Sequence, residues 1–74
     1  MPRQKVDINI GIRAFEEVKR LFPSIKTATI RTNCKKATIY NWSEGMAPDC
    51  LNLARLHYAG ADVIYILTGK RTEG

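Results

Sequence analysis

Residues 24–45 read SIKTATIRTNCKKATIYNWSEG, and the way this stretch folds decides the rest of the chain. Its first part, IKTATIRT at 25–32, is rich in β-branched side chains, which are poor helix formers. Taken alone it reads as a strand. Its surroundings point the other way. Ser24 offers an N-cap oxygen. Asn33 tolerates the left-handed conformation that a tight helix-to-helix turn requires. Gly45 is a natural C-terminal cap. The stretch is therefore expected to form one helix over about 25–32, break at Asn33, and form a second helix over about 36–44.

Working outward, Ile8, Ile12, Phe15, Val18 and Phe22 recur at helical spacing and predict an amphipathic helix over about 10–22. Asp7 or Asn9 could cap it and Pro23 stops it, although the alternation in VDINI also permits a short strand at its start. On the other side, Pro48 suits the first turn of a fourth helix, with Asp49 favourable near its positive end. Leu51, Leu53, Ala54, Leu56 and Tyr58 supply that helix with an apolar surface, and Gly60 ends it. Asp62 can cap a last helix carrying Val63, Ile64, Ile66 and Leu67, closing at Gly69. Five short helices with brief joints predict a compact all-α domain.

Seventy-four residues make one domain (1–74), whose single small core buries roughly 60% of the unfolded chain's surface. That leaves little room for an enclosed active site. One histidine, scattered acids and no nucleophile–base pair also argue against an enzyme or a small-molecule substrate. No apolar run approaches the roughly 20 residues of a membrane span. The segment MPRQKVDINI lacks the apolar core of a signal peptide, so the expected compartment is the cytoplasm. Cys34 and Cys50 read as two small buried hydrophobes. With His57 they show no paired spacing and no fourth ligand, so neither metal nor cofactor is expected.

The net charge is +5, and its placement says more than its size. From Lys19 to Ser43 the chain carries Lys19, Arg20, Lys26, Arg31, Lys35 and Lys36 with no Asp or Glu. Such a one-sign stretch suits a polyanion such as nucleic acid; a solvated face without a partner is the plainer alternative. Within the helix at 36–44, Ile39 and Trp42 fall on neighbouring angles and should face the core. Ala37, Tyr40, Asn41 and Glu44 then occupy the opposite face, flanked by Lys36 and Thr38. Asn can bond adenine bidentately in the major groove, Ala and Thr methyls can touch the thymine methyl, and Tyr and Lys can reach base or phosphate.

Taken together these features resemble the helix-turn-helix of lambda-repressor-like (Cro/CI-type) phage regulators, over roughly residues 10–71. Asn33-Cys34 stands where that family turns, Ile39 matches its buried aliphatic residue, and Trp42 and Gly45 match its "W-x-x-G". Pro48 and a Leu-rich helix follow as in the family, and GADVIYILTGKR at 60–71 is similar to a common ending of its DNA-binding domains. The resemblance implies a sequence-specific regulator that binds double-stranded DNA, with helix 36–44 in the major groove and helix 25–32 across the backbone. Lys36, Ala37, Thr38, Tyr40 and Asn41 would meet bases. Lys26, Thr27, Arg31 and Lys35 would meet phosphates. Thr29, Cys34, Ile39 and Trp42 would form the core of the motif. Arg3 and Lys5, in an N-terminal arm at 1–9, would reach backbone or minor groove, with a short tail at 70–74.

Such proteins bind palindromic operators as homodimers, and Ile64, Tyr65 and Leu67 are the candidate dimer contacts. Which of Val63, Ile64, Tyr65 and Ile66 turns outward is left open by the sequence. The chain also departs from the family. Thr29 replaces a frequent Ala at the helix crossing. Ile25 replaces a DNA-contacting Gln, for which Lys26 or Thr27 could substitute. Lys35 replaces the usual Ser or Thr cap, Ser43 a frequent Glu, and Glu44 places an acid on the exposed face. Self-cleaving repressors carry a separate catalytic domain, and none lies within these residues; a domain joined after GKRTEG would make that end a linker. The rival reading is a small helical protein-interaction module, either a phage inhibitor of a host protein or an antitoxin.

Overall fold

Asn33 sits in the left-handed region, at φ 63° and ψ 19°, and is the one non-glycine residue there among the described residues, 9–71. In the computed structural model it joins α2 (Ile25–Thr32) to α3 (Lys36–Ser43). The β-branched segment is thus helical. The Ser24 hydroxyl accepts the Thr27 N–H at 3.1 Å, satisfying one of the donors that a helix start leaves open. Thr29 and Thr32 donate their hydroxyls back to the carbonyls of Lys26 and Ala28, each at 2.7 Å. Burial completes the case, because Ala28 and Thr32, four apart on one face, are both enclosed. Tertiary packing overrides a weak local propensity here.

Around this pair lie α1 (Ile10–Leu21), α4 (Cys50–Tyr58) and α5 (Val63–Thr68), with no strand among the described residues. Ala14, Val18, Ala28, Cys34, Ile39, Trp42, Leu56, Ala61 and Ile66 form the core. α1 packs chiefly against α3 and α5. Its inward residues are Gly11, Ala14, Glu17 and Val18, so its buried face is turned from the expected stripe and Ile12 is exposed. Gly11 explains the turn. A Cβ there would overlap the Met46 carbonyl, so only glycine lets α1 approach the α3–α4 joint this closely. Asn9 occupies the N-cap position of α1 without a side-chain capping bond; Asp7, Ile8 and the expected arm residues Arg3 and Lys5 lie outside the described residues.

Four expectations need correction. Thr29 is only half-buried, because α2 is rotated to turn Ala28 and Thr32 inward and the Thr29 hydroxyl bonds its own helix. Pro48 lies buried ahead of α4 rather than in its first turn. Asp49 is the N-cap, accepting the Asn52 N–H at 2.9 Å. In α4 only Leu56 is fully buried, while Leu51 and Tyr58 stand in solvent, since this short helix meets the core along one edge. Cys34 is buried as expected, but Cys50, at the start of α4, is exposed; both are free thiols.

Charge, not only apolar contact, closes the domain. The side chain of Glu17 is fully buried and receives Arg20 Nη2 and Arg71 Nη1, at 2.9 and 2.8 Å, and the Asp62 N–H at 2.9 Å. The Arg20 hydrogen bonds, then Asp62 and Arg71, outweigh burial and hold its pKa down at about 2. Arg13 Nε donates to the carbonyls of Tyr65 and Ile66 at 3.0 Å. α5 itself starts on Asp62, whose carboxylate accepts the Tyr65 N–H, and ends at Gly69 with φ 81°. No helix among the described residues is long and apolar enough to cross a membrane.

Candidate nucleic-acid interface

α3 carries two chemically distinct faces. Ile39 and Trp42 are 0% and 1% exposed and anchor the helix in the core. Lys36, Ala37, Tyr40 and Asn41 are exposed on the other side, followed by Glu44, with Thr38 half-buried at the edge. Lys35 is the N-cap residue, in extended conformation and without a side-chain capping bond. Forgoing a Ser or Thr cap costs about 1 kcal/mol, and it sets an ammonium group at the entry to the helix.

Tyr40 is partly drawn back from the open face. Its ring lies 6.2 Å from that of Phe15 in α1, and both line a groove of about 340 Å³ with Phe22, Ile25 and Lys19. Asn41 and Thr38 border a second recess of about 340 Å³, whose far wall is Met46, Ala47, Asp49 and Asn52. The recess lies directly beside the exposed face, so groups that approach Asn41 also meet the α3–α4 joint. Thr27 is half-buried, with its backbone and hydroxyl bonded to Ser24.

The cations divide into two sets. Arg13, Arg20, Arg55 and Arg71 each hold an internal acceptor: backbone carbonyls of α5, Glu17, Asn52 and Glu17 respectively. Lys26, Arg31, Lys35 and Lys36, by contrast, are exposed and make no ion pair or side-chain hydrogen bond among the described residues. These four lie on α2 and at the entry to α3. Lys19, whose ammonium lies 5.6 Å from the Phe15 ring centre, and Lys70 also make no ion pair among the described residues, so what sets these four apart is their grouping.

On α5, Ile64 and Leu67 are 49% and 40% exposed, while Ile66 is fully buried. Tyr65, expected beside the first two as a contact between copies, is instead tied within the chain. Its hydroxyl donates to Glu16 at 2.8 Å, the Arg71 guanidinium lies 3.8 Å from its ring centre, and the Glu16 bond raises its pKa. Among the described residues no group of His, Cys, Asp or Glu is arranged to hold a metal ion.

The residues that position these faces are not evident from the local sequence. Glu17 and Arg20 stand three apart on a helix, a legible pairing, but their third partner Arg71 lies far along the chain. Asn52 accepts from Arg55 at 3.0 Å and lies 3.4 Å from Cys34 Sγ, tying α4 to the turn that precedes α3. Comparison of the chain with protein-family models, with curated proteins and with solved structures found no match.

Proposed function

We propose that this protein is a sequence-specific, double-stranded-DNA-binding transcriptional regulator of the lambda-repressor-like helix-turn-helix class, from a phage or prophage. The observation that carries the reading is the division of the cations. Lys26, Arg31, Lys35 and Lys36 remain unpaired beside an exposed face of small and hydrogen-bonding side chains, while the arginines elsewhere are used internally. α3 would enter the major groove, α2 would cross the backbone, and the four cations and Thr27 would meet phosphates. Lys36, Ala37, Thr38, Tyr40 and Asn41 would meet base edges. Two copies, meeting through Ile64 and Leu67 of α5, would cover a palindromic operator with half-sites about 34 Å apart. The site is cytoplasmic and needs no cofactor.

A protein-interaction module is the second reading, favoured by the groove that Phe15, Phe22, Ile25 and Tyr40 line. A gel-shift series against DNA upstream of its own gene separates the two. Eight neutralised phosphates per dimer give a slope of log affinity on log salt of about −7, or a loss of about 10⁴-fold between 50 and 200 mM. One palindrome should outcompete random DNA throughout. Equal binding to all sequences would overturn the specific-regulator reading.

A further inference from the structure

Glu44 opposes a polyanion on the exposed face, and unlike Asp49 across the neighbouring recess, which accepts the Asn52 N–H, its carboxylate has no capping role. It follows α3 as the C-cap residue, with its N–H bonded to the Asn41 carbonyl at 3.1 Å and backbone angles of φ −100° and ψ 7°, just outside the helical region. It stands one turn beyond Tyr40 and Asn41, which are exposed as it is. It is exposed and makes no ion pair or side-chain hydrogen bond among the described residues. A carboxylate at a helix C-terminus also faces the negative end of the helix dipole. Between Ala37 and Ala54 the chain has no Lys or Arg to offset it. Nothing inside the domain accounts for an acid here.

Resting on the DNA-binding reading above, we infer that Glu44 is a specificity-determining residue that selects cytosine in the major groove. The chemistry of base edges makes the choice. Guanine presents two acceptors there and thymine an acceptor and a methyl group, all of which a carboxylate disfavours. Adenine pairs its amino donor with the acceptor N7, so one carboxylate oxygen gains while the other is repelled. Cytosine alone offers a 4-amino donor without an acceptor of its own beside it. The amide of Asn41 has the complementary preference, donor and acceptor together, and suits adenine. The two residues are three apart, about 4.5 Å along the helix axis, near the 3.4 Å spacing of stacked base pairs. Asn41 and Glu44 would then read neighbouring base pairs with opposite requirements. The acid also makes every wrong base, and every phosphate brought close to it, repulsive, which sharpens discrimination at the cost of total affinity.

Selection of binding sites from a random duplex pool tests this with the wild type, Glu44→Ala and Glu44→Gln. Both variants should melt at the wild-type temperature or slightly above it, because Glu44 is exposed, makes no ion pair and stands at the negative end of the helix dipole. The wild-type consensus should contain a cytosine in each half-site. Glu44→Ala should lose the preference at that position alone, by about 5- to 150-fold, and should bind random DNA more tightly. Glu44→Gln should move the preference at the same position towards adenine. A consensus shared unchanged by all three proteins, or a uniform loss of affinity in the variants, would overturn the role of Glu44 and leave the DNA-binding reading standing. Failure of the wild type to select any sequence would overturn both.

Discussion

Arg71 and Glu17 lie 54 positions apart in the chain and 2.8 Å apart in space. The pair joins the end of the described chain to the middle of α1, across the same carboxylate that caps Asp62 and holds Arg20. Glu17→Gln keeps the shape but removes the charge that Arg20 and Arg71 share, while Arg71 retains the Asp62 carboxylate at 3.8 Å. Both arginines are about half exposed, which softens the penalty of breaking a buried pair to about 1–3 kcal/mol. The pH dependence has a definite sign. The folded pKa is depressed from 4.5 to about 2, so this stabilisation is full above about pH 4.5 and is lost as pH falls towards 2. Melting temperatures followed from pH 6 to 2 should fall steeply for the wild type. Glu17→Gln should start lower and show a shallower decline.

Gly11→Ala offers a test with an unusual direction. At an exposed helix interior this change stabilises by up to about 1 kcal/mol. Here the new methyl group would strike the Met46 carbonyl, and overpacking of this kind costs about 1–3 kcal/mol. Urea unfolding should therefore show a lower midpoint, and a higher one would mean that α1 and the α3–α4 joint do not approach as described.

Lys36→Gln and Asn41→Ala should affect DNA binding in different ways. Loss of the Lys36 charge should weaken binding to every sequence, random DNA included, and reduce the salt slope by about 1 per copy. Asn41→Ala should leave the slope unchanged while relaxing the choice at one base pair by about 1–3 kcal/mol. Both side chains are exposed, so circular dichroism should report an intact fold. Unchanged sequence preference in Asn41→Ala would remove it from the list of base contacts.

Ile64→Glu combined with Leu67→Glu places two acids on the apolar patch of α5. Each parent side chain is at least 40% exposed, so monomer stability should change by no more than about 0.5 kcal/mol per site. In sedimentation experiments on the operator complex, the wild type should run with two copies per site and the double variant with one. Two copies in both cases would place the contact between copies elsewhere.

Helices α2 to α5 were legible because each is punctuated by residues with a local mechanism: Ser24, Asn33, Gly45, Asp49, Gly60, Asp62 and Gly69; α1 was legible from its apolar period and from Pro23. These signals act within a few positions and need no knowledge of the fold. The rotation of α1 was not legible in this way. Ile12 fits the apolar period as well as Ala14 does, and only the close approach at Gly11 decides which of them faces inward. The place of Thr29 is hidden for a related reason, since Ala28 and Thr29 are adjacent and a turn of one residue exchanges them. Lys26, Arg31, Lys35 and Lys36 were visible as charges, but their lack of internal partners was not. That property depends on where Glu17 and Asp62 direct their carboxylates, which only the tertiary structure sets.

The shortness of α3 has a consequence of its own. Eight residues fall well below the roughly 12–15 at which an isolated helix becomes marginal in water, and one of its anchors is Trp42, buried in the core that the other helices complete. A synthetic peptide of residues 35–45 would therefore be a fluctuating coil. Its exposed side chains would share no common face, and no amount of peptide would substitute for the domain. On the DNA-binding reading, recognition would be a cooperative property, present in proportion to the folded fraction and absent from the parts.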